Sequence, residues 1–318
     1  YEFQNNLSIN EKHLLTFGIE TEEEEANTHY ISNSMWGPYE SSFPKEKNRT
    51  TGIYFQEQAT LFNSLFVSAG FRYDNNQKFG SVATYRLAPA YFINQTNTKI
   101  KGSFGTGFKS PSLFYLFDPM FGNPDLKPEE SIGWDFGFEQ FLLNGDVSFG
   151  VTYFSINFTN MFGFDSNYKT INIAEAESRG IEAFATANIL DNLKINANYT
   201  FTQTKDNYQT SEDYGLELLR RPKHSAYIAL SSQITKSLIA NISARFVGKK
   251  WDKDYNAYPA IRVQIPDYTI FNVGASYKII DQISISARVE NLFDKYYEEI
   301  LYYGTNGRTY YAGVNFNI

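Results

Sequence analysis

Between Ile283 and Glu290 the chain changes character at every residue. Ile283, Ile285, Ala287 and Val289 alternate with Ser284, Ser286, Arg288 and Glu290. Side chains of a β-strand point to opposite faces with a period of two, so this strand separates two different environments. The final segment repeats the pattern. Tyr310, Ala312, Val314, Phe316 and Ile318 share one side, and Thr309, Tyr311, Gly313, Asn315 and Asn317 share the other. A soluble sandwich alternates as well, so the pattern must be followed along the whole chain.

Fifteen segments read as strands: 1–9, 12–21, 51–61, 65–74, 81–93, 98–108, 131–143, 146–158, 170–189, 193–204, 220–233, 237–248, 267–278, 283–292 and 308–318. Some connections are very short, among them 94–97, Asn144-Gly145, Asp191-Asn192 and Thr235-Lys236. Asn-Gly favours a tight hairpin because both residues tolerate positive φ. Others are long: 22–50, 109–130, 205–219, 249–266 and 293–307, with 75–80 breaking the rule. Short turns at one end and long loops at the other describe an antiparallel transmembrane β-barrel of the outer-membrane type. Loops of such length are out of place in a compact soluble domain.

Composition agrees. No run of about 18 apolar residues exists to form a membrane helix. Barrel strands of about 9–11 residues escape that criterion because half their positions are polar. Aromatic residues make up 17%, with 24 Tyr and 28 Phe, the material of the girdles at a lipid boundary. There is no cysteine, hence no disulfide framework and no thiolate metal site. The net charge of -7 argues against nucleic acid as a partner.

Parity sharpens the reading. Bacterial single-chain barrels have an even number of strands, with both termini on the periplasmic side. The first turn, at Asn10-Glu11, is short and therefore periplasmic, so the first strand runs downward, as does the last. An odd count that starts downward is expected to be the C-terminal part of a larger barrel. The start at Tyr1, without Met or signal peptide, fits a mature fragment.

Several segments resemble the TonB-dependent outer-membrane receptors. They are Phe104 to Leu113 (FGTGFKSPSL), Gly122 to Ser131 (GNPDLKPEES), Arg179 to Glu182 (RGIE) and Asn291 to Lys295 (NLFDK). Within that family, Leu218 to Pro222 (LLRRP), Trp251 to Pro259 (WDKDYNAYP) and Tyr303 to Arg308 (YGTNGR) are similar to the cobalamin (vitamin B12) receptors. The resemblance implies a barrel of about 22 strands around an N-terminal plug. All of 1–318 would then be barrel, with the plug and the first seven or so strands lying outside it. It further implies partners: the TonB energy-coupling complex acting through the plug, outer-membrane lipid and lipopolysaccharide, and a scarce small ligand. No cofactor is implied.

The resemblance places ligand contacts at Arg220 and Tyr303. A planar guanidinium suits the phosphate and amide oxygens of a corrinoid. A tyrosine at a mouth stacks on a macrocycle and still donates a hydrogen bond. The plainer alternatives are a lumenal ion-pair ladder, which Arg221, Arg245 and Arg288 would share, and a girdle tyrosine. Trp251, Tyr255 and Tyr258, with Asp252 and Asp254, form an aromatic and acidic loop tip for ligand capture. Two aspartates fall short of a calcium loop, which leaves them as solvated loop charges. Glu22 to Glu25 read as the base of a mobile, self-repelling loop. His13, His29 and His224 are scattered, so neither a metal centre nor a catalytic triad follows.

The expected function is active import of cobalamin through the outer membrane of a Gram-negative cell, without chemistry on the ligand. A ferric-siderophore or haem receptor is the alternative within the class. A passive porin would be a complete, smaller barrel. An outer-membrane lipase or protease would need a paired nucleophile and base.

Overall fold

A computed structural model describes residues 1–165 and 168–316. Fifteen strands form one sheet in strict chain order, and each neighbouring pair is antiparallel. They are β1 (Glu2–Asn10), β2 (His13–Ser34), β3 (Gly37–Leu61), β4 (Leu65–Asn76), β5 (Gly80–Ile93), β6 (Thr98–Lys109), β7 (Glu129–Leu142), β8 (Val147–Phe164), β9 (Thr170–Leu190), β10 (Leu193–Asp206), β11 (His224–Gln233), β12 (Leu238–Val247), β15 (Tyr268–Ile280), β16 (Ile283–Glu290) and β19 (Thr309–Phe316). The intervening numbers belong to two small hairpins outside the sheet: β13 (Lys250–Asp254) with β14 (Ile261–Ile265), and β17 (Glu298–Ile300) with β18 (Tyr303–Gly304). A short α-helix, α1 (Leu113–Phe117), is capped by the Ser112 hydroxyl, which accepts from the Tyr115 amide. Among the described residues β1 and β19 do not pair, so the sheet is open at both edges.

The register sorts side chains as the alternation predicts. Phe17 stands opposite Phe55, Phe55 opposite Phe71, and Phe71 opposite Tyr85. Further round, Phe136 faces Tyr153, and Ala287 lies between Ala275 and Ala312. Large apolar side chains on this face stay exposed, among them Phe136 at 60% and Val314 at 56%. On a water-soluble protein so broad an apolar surface would drive association. Against hydrocarbon it is the stable arrangement, because antiparallel pairing satisfies the backbone that lipid cannot. The opposite face is polar and interlocked. Lys99 and Lys101 both reach Glu139, at 3.1 and 2.6 Å, and Arg72 joins Asp74 to Glu20. Arg288 and Glu290 pair on this face at 3.0 Å, away from Val289. Asn317 and Ile318, assigned to opposite faces by the same alternation, lie outside the described residues.

The turns follow local chemistry. Asn144 and Gly145 both have positive φ, 55° and 99°, as the Asn-Gly signal requires. Gly180 answers to packing: a Cβ there would sit 1.9 Å from the Phe201 carbonyl oxygen, so only glycine lets β9 approach β10 at that point.

Three expectations are corrected. Residues 22–50 are not a loop: β2 and β3 run on as a two-stranded ribbon, paired from Glu22–Thr50 to Ser34–Gly37. Its acidic run is ordered by cations across the ribbon, Lys47 and Arg49 on Glu23 and Lys45 on Glu25, each at 2.7 Å. Cross-strand pairing removes the self-repulsion that the linear sequence suggests. Second, the strand expected at 220–233 starts only at His224, so Arg220 and Arg221 lie in the preceding loop. Arg220 has a φ of 59°, and no regular strand continues through that conformation. Third, 249–266 and 293–307 each contain a hairpin of their own.

Candidate functional site

Three long connections meet at the end of the sheet opposite the short turns: 207–223, 248–267 and 291–308. Their meeting point is Asp252 on β13, which is completely buried. Its carboxylate accepts the Arg220 Nε–H on both oxygens, at 2.9 and 3.0 Å. It also accepts the Lys253 amide at 2.9 Å and the Leu301 amide at 3.0 Å. One side chain thus ties all three loops. Burial alone would raise this carboxyl; the bonds from Leu301, Lys253 and Arg220 outweigh it and hold Asp252 below the ordinary aspartate range.

A second knot lies beside it. Asp213 receives Lys253 and Arg262, each at 3.0 Å, and the Arg262 guanidinium sits 5.6 Å from the Trp251 ring. Burial raises the Asp213 carboxyl, and the two cations more than offset that, so it too is lowered. The third is Glu299 on β17. It takes Lys250 at 2.8 Å and Arg245 at 3.5 Å, and Tyr268 donates its hydroxyl to it. Lys250 is only 4% exposed and Tyr268 3%. Tyr268 stacks on Tyr297 with centroids 4.3 Å apart. Buried charges persist where they are paired and hydrogen-bonded, and these are.

Between the knots and the sheet opens a cavity of about 480 Å³. Its walls include Asn198, Thr200, Arg220, Arg245, Lys250 and Glu299. Arginine edges, a hydroxyl and an amide line it, suited to a polar ligand rich in oxygen acceptors.

Of the residues singled out in the sequence, Arg220 lines this cavity, and its amide donates to the Trp251 carbonyl at 2.6 Å. Trp251 is half-buried beneath Arg262. Tyr303 lies on β18 and is 70% exposed. Tyr255 and Tyr258 stand at the tip of the β13–β14 hairpin, also exposed. The five therefore divide into Arg220 and Trp251, joined to each other on the cavity side, and three exposed tyrosines on the hairpins. The aspartates differ from the solvated charges expected: Asp252 is sequestered, and Asp254 accepts the Tyr302 hydroxyl at 2.7 Å. Among the described residues no cluster of His, Asp and Glu could hold a metal. Lys250, Tyr268 and Glu299 went unnoticed. Only Lys250, a cation just before an aromatic loop, left a trace in the sequence.

A family profile described as "TonB dependent receptor-like, beta-barrel" matches residues 1–292. The chain belongs to the TonB-dependent receptor family. The vitamin B12 transporter BtuB of Vibrio cholerae is 30% identical over 283 residues, covering 86% of this chain and 43% of the relative. This chain therefore spans less than half the length of the curated relatives it matches. Among solved structures, the siderophore receptor PirA of Acinetobacter baumannii superposes with a TM-score of 0.80 at 19% identity, over 99% of this chain and 53% of that one. The ferric-catecholate receptor Fiu of E. coli K12 does so with a TM-score of 0.82 at 14% identity, over the same shares. At those identities the likeness is one of fold. Membership makes this an outer-membrane β-barrel of a transport-receptor family and sets the porin reading aside.

Proposed function

We propose that this chain forms wall and mouth of an energy-coupled receptor that imports a corrinoid, cobalamin being the ligand. The single observation that carries the reading is the relationship to a vitamin B12 transporter, 30% identical over 283 residues. The mouth is chemically suited to it. Arg220 and Arg245 line a cavity of about 480 Å³, and Tyr255, Tyr258 and Tyr303 stand exposed on the loop hairpins. A corrinoid offers a flat macrocycle for the rings and amide and phosphate oxygens for the cations.

On this reading the ligand enters from the loop end and passes down the polar face after a plug domain is remodelled by the TonB complex. Lipopolysaccharide and outer-membrane lipid surround the apolar face. A ferric catecholate siderophore is the competing ligand, since it also calls on arginine and aromatic contacts. The test is a titration of the complete receptor, plug included, with cyanocobalamin and a panel of ferric siderophores. Submicromolar cobalamin binding, weakened by Arg220→Ala and Tyr303→Ala together, is expected. Tight siderophore binding without cobalamin binding would overturn the assignment.

A further inference from the structure

Arg220 sits in an unusual place for a ligand-binding side chain. It occupies a turn rather than a strand, and its φ of 59° is a conformation that residues other than glycine seldom adopt. Such a conformation persists only where the surroundings over-determine it. Here two bonds from β13 do so: the Arg220 amide donates to the Trp251 carbonyl at 2.6 Å, and its Nε–H donates to Asp252. Asp252 has no exposure of its own, so no ligand reaches it.

We propose that Asp252 is a positioning residue for the ligand contact made by Arg220, and that it couples this contact to the loop bearing Tyr303. The argument rests on the function proposed above. Hydrogen bonding to Asp252 runs through Nε alone, and the side chain stays 41% exposed on the wall of the mouth cavity. Nε is the inner edge of the fork. Holding it fixes the plane of the guanidinium and leaves the Nη edge for a carbonyl or phosphate oxygen. An arginine otherwise surrenders rotamer freedom on binding; one already fixed surrenders less. The same carboxylate accepts the Leu301 amide, two residues before Tyr303. The positions of Arg220 and of the rim loop are thereby tied to one carboxylate.

The experiment is a double-mutant cycle in the full-length receptor, read by cyanocobalamin affinity and by limited trypsin digestion without ligand. Asp252→Asn keeps one acceptor oxygen for a loop amide but cannot accept on both sides, so Arg220 is released while the hairpins stay paired. A fall in affinity of about tenfold is expected for Asp252→Asn, a size typical of coupled contacts. In an Arg220→Ala background the same change should have less than a twofold effect. Trypsin enters by engaging the arginine side chain, and the Arg221–Pro222 bond resists it, so cleavage after Arg220 reports its release. That cleavage should be slow in the native receptor and several-fold faster in Asp252→Asn. A cycle in which the two substitutions add independently overturns the positioning role, as does unchanged cleavage. If Arg220→Ala binds cobalamin as tightly as the native receptor, both the site and the positioning role fall. If the native receptor binds no cobalamin while Asp252→Asn still speeds cleavage, the corrinoid reading fails and the control of Arg220 by Asp252 stands.

Discussion

Arg288 on β16 lies directly opposite Tyr311 on β19, its guanidinium carbon 4.0 Å from the ring centroid. The contact joins the two strands on the polar face, where Arg288 also reaches Glu290. Cation–π contacts of this kind contribute about 0.5–1 kcal/mol when exposed. Its larger consequence is for register. A slip of one residue in β16 would part Arg288 from Tyr311 and bring it to the lipid side.

The register therefore predicts opposite costs at adjacent positions. Val314→Arg places a charge on the lipid face and should destabilise the barrel by about 2–4 kcal/mol if near the midplane. Asn315→Arg, on the polar face, should cost well under that. Unfolding in a denaturant series within lipid vesicles measures both, and equal costs would contradict the assignment of faces.

Gly180 carries the second prediction. A methyl group at this position meets the Phe201 carbonyl oxygen at 1.9 Å, a backbone atom unable to swing aside. Gly180→Ala should therefore part β9 from β10 and cost about 1–3 kcal/mol, the range for overpacking. The same unfolding assay reads it. A silent substitution would show that the two strands stand further apart than described.

The ribbon of β2 and β3 leaves the sheet above Thr21 and Thr50 and extends roughly 40 Å, at about 3.3 Å per residue. An isolated two-stranded ribbon is marginal in water. This one is anchored where α1 packs against it and where Phe43 is buried to 2% exposure. Phe43→Ala should remove about 3–5 kcal/mol of local packing. Faster protease cleavage at the Met35-Trp36 tip, with barrel unfolding unchanged, is the expected result.

The base of that ribbon also predicts a pH response. Hydrogen bonds from Lys47 and Arg49 lower the Glu23 carboxyl to about 2 from its ordinary 4.5. A depressed carboxyl contributes stability above its unfolded value and loses it as pH falls towards the folded one. Amide protection in the ribbon, corrected for intrinsic exchange, should hold from pH 7 to about 5 and decline from there towards pH 2. Protection that stays unchanged between pH 5 and pH 2 would mean that Glu23 is unpaired in solution, since a carboxyl with the same pKa folded and unfolded contributes no pH dependence.

The sequence by itself determined the sheet. Alternation at Ile283–Glu290 and its counterparts fixes which face each residue takes, because a strand has a period of two whatever its neighbours do. Turn chemistry at Asn144-Gly145 placed a reversal for the same local reason. The run Glu22 to Glu25 misled, because the cations that order it lie on the far strand of the ribbon and only pairing brings them near. The mouth was legible in part. Arg220, Trp251 and Tyr303 stood out through resemblance, but the role of Asp252 did not. Its burial is created by three loops separated by 32 and 49 residues, and a lone carboxylate in an aromatic loop looks solvated until they close over it. Lys250, Tyr268 and Glu299 were hidden for the same reason. Local patterns reach one strand or one turn, whereas a charge is buried and paired only by what the rest of the fold brings to it.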